Sequence, residues 1–502
     1  MSNSARFRIS FIIAFCFLGF TSIQGQSVAE FRQAAEKALS AFDVPGFSVG
    51  IIKDGEVVMV EGFGTRTTGA DEAVDGNTLF AIASNTKAFI SSAIVKLHME
   101  GKLDLDAPVR TYLPTFAVYD EYVSAHMIVR DLLCHRAGLG TFSGDVIWYK
   151  SALRADQVVQ QIRHVPQAYE WRAGYGYSNL MFITAGEVIK AVTGQSWDEY
   201  VREHFLTPLG MDRTQTSVTP LRNLPNVATP HITRNDNEPI AYANWDNMGA
   251  AGGIVSSASD MTKWMGAQLA SGQTEDGEIF PKNLTNITWR PHNAIGNYKS
   301  FSSAGLGWFL RSTDGHTIVS HGGGYDGMYS RVALVPDQNL GVVVLTNSMT
   351  GLSSALGNYI VNAYLGQGSE DWLDSAVARQ KRGKASWDER RQERIDARVQ
   401  NTKPSVEIST YAGEYHDPMF GAIHIKVDGD QLRLEFATAP LLNASLEHWH
   451  YDTWKIQWDE PHAWFDFGTV AFEINNNRDV TSISFDVPND DIFFDEIKAN
   501  KK

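Results

Sequence analysis

The sequence predicts an α+β protein, in which an antiparallel sheet with a helical subdomain is followed by a small antiparallel β-barrel. Three observations support this fold class. Strand-like segments stand near both ends of residues 26–372, helical patterns fill the stretch between them, and short alternating segments begin near residue 405. Strands from the two ends are expected to pair in one sheet, with the helices packed around it.

The N-terminal segment is typical of a secretory signal peptide. Arg6 and Arg8 precede the apolar run ISFIIAFCFLGF, and TSIQGQ follows it, which predicts cleavage near Gly25. The run is short for a transmembrane helix, which needs about 20 residues; an uncleaved anchor is the alternative. We therefore expect residues 1–25 to be removed, and the mature protein to be periplasmic or secreted with no stable membrane span.

The composition excludes several function classes. The chain has 502 residues, too many for one ordinary domain, and a net charge of −15. An acidic protein of this kind is not expected to bind nucleic acid or anionic lipid. Only Cys134 remains after signal cleavage, so the mature chain cannot form an internal disulfide. Cys134 is expected to be a buried, small apolar residue.

The first domain, residues 26–372, begins with a helix over residues 28–42. The segment VPGFSVGIIKDGEVVMVEGFG then predicts two strands joined by a turn at Asp54-Gly55. GFSVG matches the nucleophile-elbow pattern G-x-S-x-G, but an elbow needs a strand before its serine and a helix after it. Ser48 has the opposite order and is interpreted as an ordinary strand residue. A nucleophilic Ser48 in an α/β hydrolase is the alternative.

The remainder of the first domain is predicted to be helical until its last strands. Helical patterns occupy residues 84–100, 127–134, 154–163, 180–193, 196–206 and 256–270. After HGGGYDG, the segments SRVALVPDQ and LGVVVLTNS predict two strands, and residues 353–365 predict a final helix.

Two further segments complete the chain. Residues 373–404 are rich in charge and poor in large apolar side chains, which predicts a charged helical linker. Residues 405–502 alternate in hydrophobicity between regular turn signals, which predicts the barrel. There, His448 and His450 are expected to share one face of a strand. Such a pair can bind zinc, but no third ligand is evident, and no metal or cofactor is predicted.

Three short motifs in the first domain indicate chemistry: Ser84-Asn85-Thr86-Lys87, Tyr177-Ser178-Asn179 and His321-Gly322-Gly323. On a helix, S-x-x-K places the hydroxyl and the amine one turn apart on the same face. Lys87 can activate the Ser84 hydroxyl if burial or a nearby positive group lowers the lysine pKa. Backbone N–H groups at the start of that helix would also lie near a developing oxyanion.

With its flanking residues, this ordered set resembles the serine β-lactamase and penicillin-binding-protein superfamily, in particular its class C-like, peptidase S12-type members. The resemblance runs from about residue 30 to 365 and includes LFAIASNTKAF, IVRDLLCHRAGL, YGYSN and HGGGYDGMYSRVALVPDQNLGVVVLTN. It implies a β-lactamase/transpeptidase-like fold for the first domain. The C-terminal domain resembles the small lipocalin-like barrel that is appended to some members, where it shapes the site or mediates assembly.

The resemblance also implies roles for the motif residues. Ser84 would be the acylated nucleophile and Lys87 its partner in proton removal. Tyr177 would pass the proton between the serine, the leaving group and the deacylating water. Asn179 would hydrogen bond to the lysine and to the acyl side of the substrate.

The third motif would line the substrate site. His321, Gly322 and Gly323 stand where many members have Lys-Thr-Gly, and the oxyanion hole would be formed by the backbone N–H groups of Ser84 and Gly324. Glycines there let a substrate lie close to the strand. Histidine is mostly uncharged at neutral pH, so it suits a substrate carboxylate less well than lysine, and efficient β-lactamase action is not expected.

Other residues near the motifs are interpreted more plainly. His135 is expected to hold a loop by hydrogen bonding, and Tyr175 to belong to packing or to the pocket wall. Trp308 and Tyr325 either line the substrate pocket or lie in the core.

The sequence therefore predicts an exported serine hydrolase that cleaves a small-molecule or peptide ester or amide through an acyl-enzyme. Esterase, D-aminopeptidase and DD-peptidase-like activities all fit. The alternative is a penicillin-binding sensor of the cell envelope that is acylated without turnover, against which the intact Y-x-N motif argues. The substrate's two halves, its chirality and the oligomeric state are not specified.

Overall fold

The computed structural model of the protein describes residues 20–275, 277–296 and 301–502. Its first domain contains eight strands of one sheet: β1 Gly46–Lys53, β2 Glu56–Gly64, β3 Asn293–Ile295, β4 Ser302–Ala304, β5 Phe309–Thr313, β6 His316–Tyr325, β7 Met328–Val335 and β8 Leu340–Thr346. Two-residue strands pair outside this sheet, joining Phe80–Ala81 to Val255–Ser256, His231–Ile232 to Glu238–Pro239, and Gln273–Thr274 to Gly277–Glu278.

The large sheet joins the two ends of the domain. Its order is β2-β1-β8-β7-β6-β5-β4-β3, and every neighbouring pair is antiparallel. The N-terminal strand β1 pairs with the last strand β8, from Phe47 opposite Thr346 to Lys53 opposite Leu340. The predicted fold class, an antiparallel sheet framed by strands from both ends, is confirmed.

The helices lie between and after these strands. They are α1 Phe20–Ala41, α2 Thr86–Met99, α3 Glu121–His126, α4 Val129–Leu132, α5 Ala155–Gln161, α6 Asn179–Thr193, α7 Trp197–Val201, α8 Gly249–Gly252, α9 Ala258–Leu269, α10 Leu284–Thr288, α11 Leu352–Tyr364, α12 Trp372–Asp396 and α13 Ile408–Tyr411.

Strand β8 is buried along its whole length because helices cover both faces of the sheet. Alternate residues of a strand point to opposite faces. Val342 and Val344 belong to one core with α1 and α11. Val343 and Leu345 belong to the other core, with α9 and the helical subdomain. This two-sided burial explains the unbroken apolar run LGVVVL, which does not alternate.

Helix α2 is the centre of the helical subdomain. Eleven of its residues are buried, among them both Thr86 and Lys87 at its start. It packs against α6, α7, α8 and α10. A helix that is apolar on nearly every side must be enclosed, and this enclosure takes the N-terminus of α2 out of bulk water.

The C-terminal domain is a closed antiparallel barrel of eight strands: β9 Gly413–Asp417, β10 Gly421–Asp428, β11 Gln431–Phe436, β12 Ala444–His450, β13 Thr453–Trp458, β14 Thr469–Ile474, β15 Val480–Asp486 and β16 Lys498–Lys501. Leu432, Leu434 and Phe436 alternate inward along β11, as the strand period requires. The predicted small barrel is confirmed.

The predicted linker 373–404 is mostly one long helix, α12, which has no fully buried residue. Its first residue, Trp372, stacks on Tyr359 of α11 with ring centroids 4.5 Å apart. The predicted signal peptide, residues 1–25, lies mostly outside the described residues. Among the helices that the structure describes, none combines the length and apolarity that crossing a membrane requires.

Two predicted helices differ from the structure. The pattern at 127–134 yields only the four-residue α4, because Met127 O accepts from Val109 N and Val129 N donates to Ala107 O. A helix that began at residue 127 would need Met127 O to accept from Asp131 N, which donates to Ile128 O instead. The pattern at 196–206 yields α7 followed by a π-helical turn, Arg202–Leu206.

Candidate active site

Ser84 lies in a tight turn just before α2. The turn is a short 3₁₀ helix, and Ala83 within it has a left-handed backbone with a φ of 46°, which costs a non-glycine residue roughly 1–2 kcal/mol. Such strain persists where the surroundings enforce it. The Asn85 amide donates to Ser330 Oγ at 2.8 Å, and Ser330 donates to the backbone just before the turn at 2.7 Å. These contacts fix the position of Ser84.

Lys87 is fully buried beside Ser84. Its Nζ lies 3.0 Å from Ser84 Oγ, 2.7 Å from Asn179 Oδ1 and 2.7 Å from Ala251 O. The two carbonyl oxygens can only accept hydrogen bonds, whereas the hydroxyl can donate or accept. A neutral amine therefore gives its two N–H groups to Asn179 and Ala251 and directs its lone pair at Ser84. The arrangement suits Lys87 as a base.

Burial sets the proton affinity of Lys87. It lowers the pKa of the ammonium group to about 7, while the charge of Asp145 acts in the opposite direction. Near neutral pH a substantial share of Lys87 is therefore the neutral amine, the form that can accept the Ser84 proton.

Asn179 connects Lys87 to a carboxyl group that the sequence analysis missed. While its oxygen accepts from Lys87, its amide nitrogen donates to Asp145 Oδ2 at 2.6 Å. One amide N–H therefore remains for a substrate. Burial raises the pKa of Asp145 to about 8. Asp145 belongs to no motif, and its only signal in the sequence is an acidic residue placed directly before the apolar run VIWY.

Tyr177 faces Ser84 from the other side of the cleft. Burial raises its pKa well above the ordinary value, and a hydrogen bond with Ser84 acts in the opposite direction. Its ring stacks on His135 with centroids 4.3 Å apart, and Lys87 Nζ lies 5.0 Å from its ring centroid. The hydroxyl is therefore protonated at neutral pH and available as a proton donor.

His135 holds the segment that carries Tyr177. Its Nδ1 accepts from Ser178 N at 3.2 Å, and burial lowers its pKa well below the ordinary value, so the ring is neutral. Ser178 in turn caps α6 by accepting from Met181 N at 3.4 Å. The predicted loop-holding contact of His135 is thus present, and it lies one residue from Tyr177.

His321 lies on β6, buried and neutral. Burial first, and then the charge of Lys87, lower its pKa to about 3. Its Nδ1 lies 2.5 Å from Gly322 O, an oxygen that can only accept, so Nδ1 carries the proton. Within the described residues Nε2 has no hydrogen-bond partner. The ring therefore presents an unpaired acceptor, with no positive charge for a substrate carboxylate.

The end of β6 forms the border of the cleft. Its pairing with β5 stops at Ser320, so the stretch from His321 onward pairs only with β7. A Cβ atom on Gly323 would lie 2.2 Å from Ile82 O, and only glycine allows this approach to the turn that holds the nucleophile. Gly324, the second predicted oxyanion donor, follows on the same open stretch.

These groups surround a cleft of about 460 Å³. The structure brings together all the residues that the three motifs predicted for the site, and Ser84, Tyr177, Asn179 and His321–Gly324 line it, with Lys87 behind Ser84. Tyr175 is part of the wall, as one of its two interpretations expected. The C-terminal barrel also lines the cleft, through Trp464, Asp491 and Ile492; shaping the site was one of the two roles that the resemblance implied for the barrel, but these residues were not predicted.

Other predicted residues lie elsewhere. Ser48 is buried in β1, and its Oγ donates to Glu61 O at 3.2 Å, so a strand and no helix follows its elbow-like pattern. Trp308 and Tyr325 are core residues, and the Tyr325 hydroxyl donates to Ala243 O. Cys134 is buried, and burial raises its pKa to about 12.

Both histidines of the H-x-H pair in the barrel form hydrogen bonds with backbone groups. His448 Nε2 contacts Tyr451 O at 2.9 Å, and His450 Nδ1 accepts from Val399 N at 3.1 Å. The pairing of β12 with β13 shifts register between the two histidines, so the regular alternation assumed for H-x-H does not hold. Across residues 20–275, 277–296 and 301–502, no group of three or more potential metal ligands occurs.

Two family models match the sequence. The model described as Beta-lactamase matches residues 31–366, and a domain of unknown function, DUF3471, matches residues 397–501. The unguisins hydrolase ungD' of Aspergillus campestris is 28% identical over 432 residues, which cover 80% of this chain and 78% of that protein. Protein flp of Staphylococcus aureus strain MW2 is 28% identical over 323 residues, and the match spans 61% of its length.

Solved structures share the fold. The octameric penicillin-binding protein homologue from Pyrococcus abyssi aligns with a TM-score of 0.61 and 21% identity, over 94% of this chain and all of that one. SurE, in its structure with D-Leu, aligns with a TM-score of 0.55 and 19% identity over 95% of this chain and all of that one. At such identities the likeness concerns the fold alone.

The link between Asp145 and Lys87 can be tested by Asp145→Asn, which keeps an acceptor for Asn179. With a pKa of about 8, Asp145 is largely protonated where Lys87 titrates, near pH 7, and stabilises the Lys87 ammonium only at higher pH. Asp145→Asn should therefore leave the acid limb of the kcat/KM profile in place, as should the control Asp54→Asn at an exposed turn. A limb moved to lower pH in Asp145→Asn alone would show that Asp145 is already ionised there.

The close approach of β6 to the Ser84 turn can be tested by stability. Gly323→Ala should lower the free energy of unfolding by about 1–3 kcal/mol because its Cβ overlaps backbone and Ser330. Gly322→Ala is the matched control, since the nearest atom to its Cβ is 3.7 Å away. Urea unfolding monitored by tryptophan fluorescence measures the stability of both variants. Equal stabilities would show that β6 and the Ser84 turn are farther apart than described.

Proposed function

The chain belongs to the β-lactamase family, and from that premise we propose that it is an exported serine hydrolase that forms an acyl-enzyme at Ser84. One observation carries the proposal. The Ser84 hydroxyl lies 3.0 Å from a buried lysine amine, and burial lowers the pKa of that amine to about 7. A serine needs such a neighbouring base to become a nucleophile.

In the proposed acylation, Lys87 accepts the Ser84 proton as Oγ attacks the carbonyl carbon. The contacts to Asn179 and Ala251 hold the amine in place while its lone pair takes the proton. The oxyanion is stabilised by the backbone N–H groups of Ser84 and Gly324, which the fold holds in place before the reaction begins.

Tyr177 then protonates the leaving group. Because burial raises its pKa well above the ordinary value, the resting form is the neutral phenol and not the tyrosinate. Lys87 therefore serves as the resting base, and Tyr177 relays the proton from Lys87 to the departing atom. The reverse relay activates the water that releases the acid.

The proposed substrate is an ester or an amide. It carries no carboxylate that a fixed positive charge of the protein would have to bind. Neutral His321, with a pKa of about 3, offers no charge of that kind, which favours esterase or D-aminopeptidase action over efficient β-lactamase action and over DD-peptidase-like action, whose substrate ends in a carboxylate. The relative from Aspergillus campestris is described as a hydrolase, and SurE has been solved with D-Leu. These descriptions support hydrolysis and keep D-amino-acid derivatives among the substrates.

Covalent labelling tests the nucleophile. A fluorophosphonate should add to Ser84, and mass spectrometry of the digest should find the label there. Ser84→Ala should abolish both the label and ester hydrolysis. Ser48→Ala is the matched control and should retain both, because Ser48 is a buried strand residue whose hydroxyl donates to Glu61 O and which is not among the residues that line the cleft. Loss of activity in Ser48→Ala alone would favour the α/β-hydrolase interpretation.

Turnover distinguishes an enzyme from a sensor. With a chromogenic ester in large excess over protein, product should form continuously, because the Tyr177 and Lys87 relay can also activate the deacylating water. Nitrocefin should be cleaved much more slowly. A burst of one product per protein with both reagents, followed by no further release, would instead indicate a penicillin-binding sensor.

A further inference from the structure

Two loops of the barrel reach the active-site cleft. They join β13 to β14, residues 459–468, and β15 to β16, residues 487–497. The first brings Trp464 close to the oxyanion strand, where a Cβ on Gly324 would lie 3.2 Å from the indole ring. The second brings Asp491 and Ile492 to the cleft.

Contacts with the first domain hold these loops in place. The Glu496 carboxylate accepts from Ser143 Oγ at 2.5 Å and from Gly144 N at 2.7 Å, directly before Asp145. The Arg234 guanidinium donates to Ala463 O at 2.8 Å. The barrel is therefore attached to the same segment that carries the buried carboxyl of the catalytic centre.

The loop that presents Asp491 has a defined conformation. Asn489 Oδ1 accepts from the backbone N–H groups of Asp491 at 3.0 Å and of Ile492 at 2.6 Å. Its Nδ2 donates to Val487 O at 2.9 Å and to Ile492 O at 2.8 Å. One asparagine side chain thus braces the loop from within, so the position of Asp491 is built into the barrel.

The Asp491 carboxylate is unpaired among the residues that the structure describes. Within the described residues no hydrogen bond or ion pair engages it, whereas neighbouring Asp490 is 78% exposed and lies 3.5 Å from Arg390. Burial first, and then the charge of Asp490, raise the pKa of Asp491 to about 7. Burial is the main cause of the raised pKa of both Asp145 and Tyr177, and the charge of Asp491 adds a smaller effect in the same direction.

The surroundings of Asp491 favour a cation. Arg331 is the one permanently charged basic residue among the described residues that line the cleft, and its guanidinium reaches Asn358 Oδ1 at 3.4 Å. His321 is neutral and offers an unpaired acceptor. A partly buried carboxylate without a partner is unfavourable, and an ammonium group of a ligand would relieve it.

We propose that Asp491 of the barrel binds a protonated amine of the substrate, so that the enzyme selects esters or amides with an ammonium group close to the scissile carbonyl. The proposal rests on the proposed function, since it concerns the same cleft. It makes Asp491 a specificity residue that comes from outside the domain that carries the nucleophile.

The test compares two p-nitrophenyl esters of nearly equal shape, those of alanine and of isobutyric acid, in which an ammonium group replaces a methyl group. Both alanine enantiomers are used on the full-length mature protein. Wild type should show a higher kcat/KM for at least one alanine ester. Asp491→Asn, which keeps the side-chain shape, should lower the alanine-to-isobutyryl ratio about tenfold. The rate with the isobutyryl ester measures any general loss of catalytic activity in the variant, including a loss caused by a changed pKa of Tyr177 or Asp145.

Asp490→Asn is the matched control: loss of its charge lowers the pKa of Asp491 and favours the ionised carboxylate, so the ratio should not fall. An unchanged ratio in Asp491→Asn, or a wild-type preference for the isobutyryl ester, would overturn the proposal. Ser84→Ala distinguishes a failure of the amine-binding proposal from a failure of the proposed function. If Ser84→Ala retains hydrolysis, the proposed function itself is wrong. If no ester is turned over, the rates at which a cationic and a neutral fluorophosphonate label Ser84 provide the same ratio, with the same expected drop in Asp491→Asn.

Discussion

The burial of one lysine amine is the constraint on which the rest of the site depends. Lys87 lies inside the helical subdomain with its nitrogen in contact with a hydroxyl, an amide oxygen and a backbone carbonyl. Its charged form is destabilised there by desolvation. The enclosure of α2 removes this amine from bulk water. The strained turn at Ala83 places Ser84 close to it, and the amide of Asn179 orients it.

The sheet supplies the second wall of the cleft. Because β5 ends its pairing early, the last part of β6 has one edge free, and that edge faces the turn that carries Ser84. The glycine at 323 allows the two backbones to approach. Nucleophile and strand edge come from parts of the chain more than two hundred residues apart, and the closure of the sheet by β1 and β8 fixes their relation.

Sequence reasoning identified the fold class, the barrel and the motif residues because these have local signatures. S-x-x-K has a helical spacing, and the barrel strands alternate between turn signals. Asp145 and Asp491 have no such signature: each lies outside the strands and α-helices, and its importance arises from burial against distant segments. The H-x-H pair illustrates the same limit, since a register shift in β12 removed the alternation on which its interpretation relied.

The self-braced loop at Asn489 has a consequence for how selectivity can change in such proteins. The groups proposed to break the bond lie in the first domain, and the loop proposed to bind the substrate belongs to the barrel, which follows a solvent-facing helix. Exchange of the barrel, by recombination or by engineering, would redirect the choice of substrate without changing the nucleophile or its base. Diversity of this kind would be acquired in whole modules, without passing through variants with a damaged reaction centre.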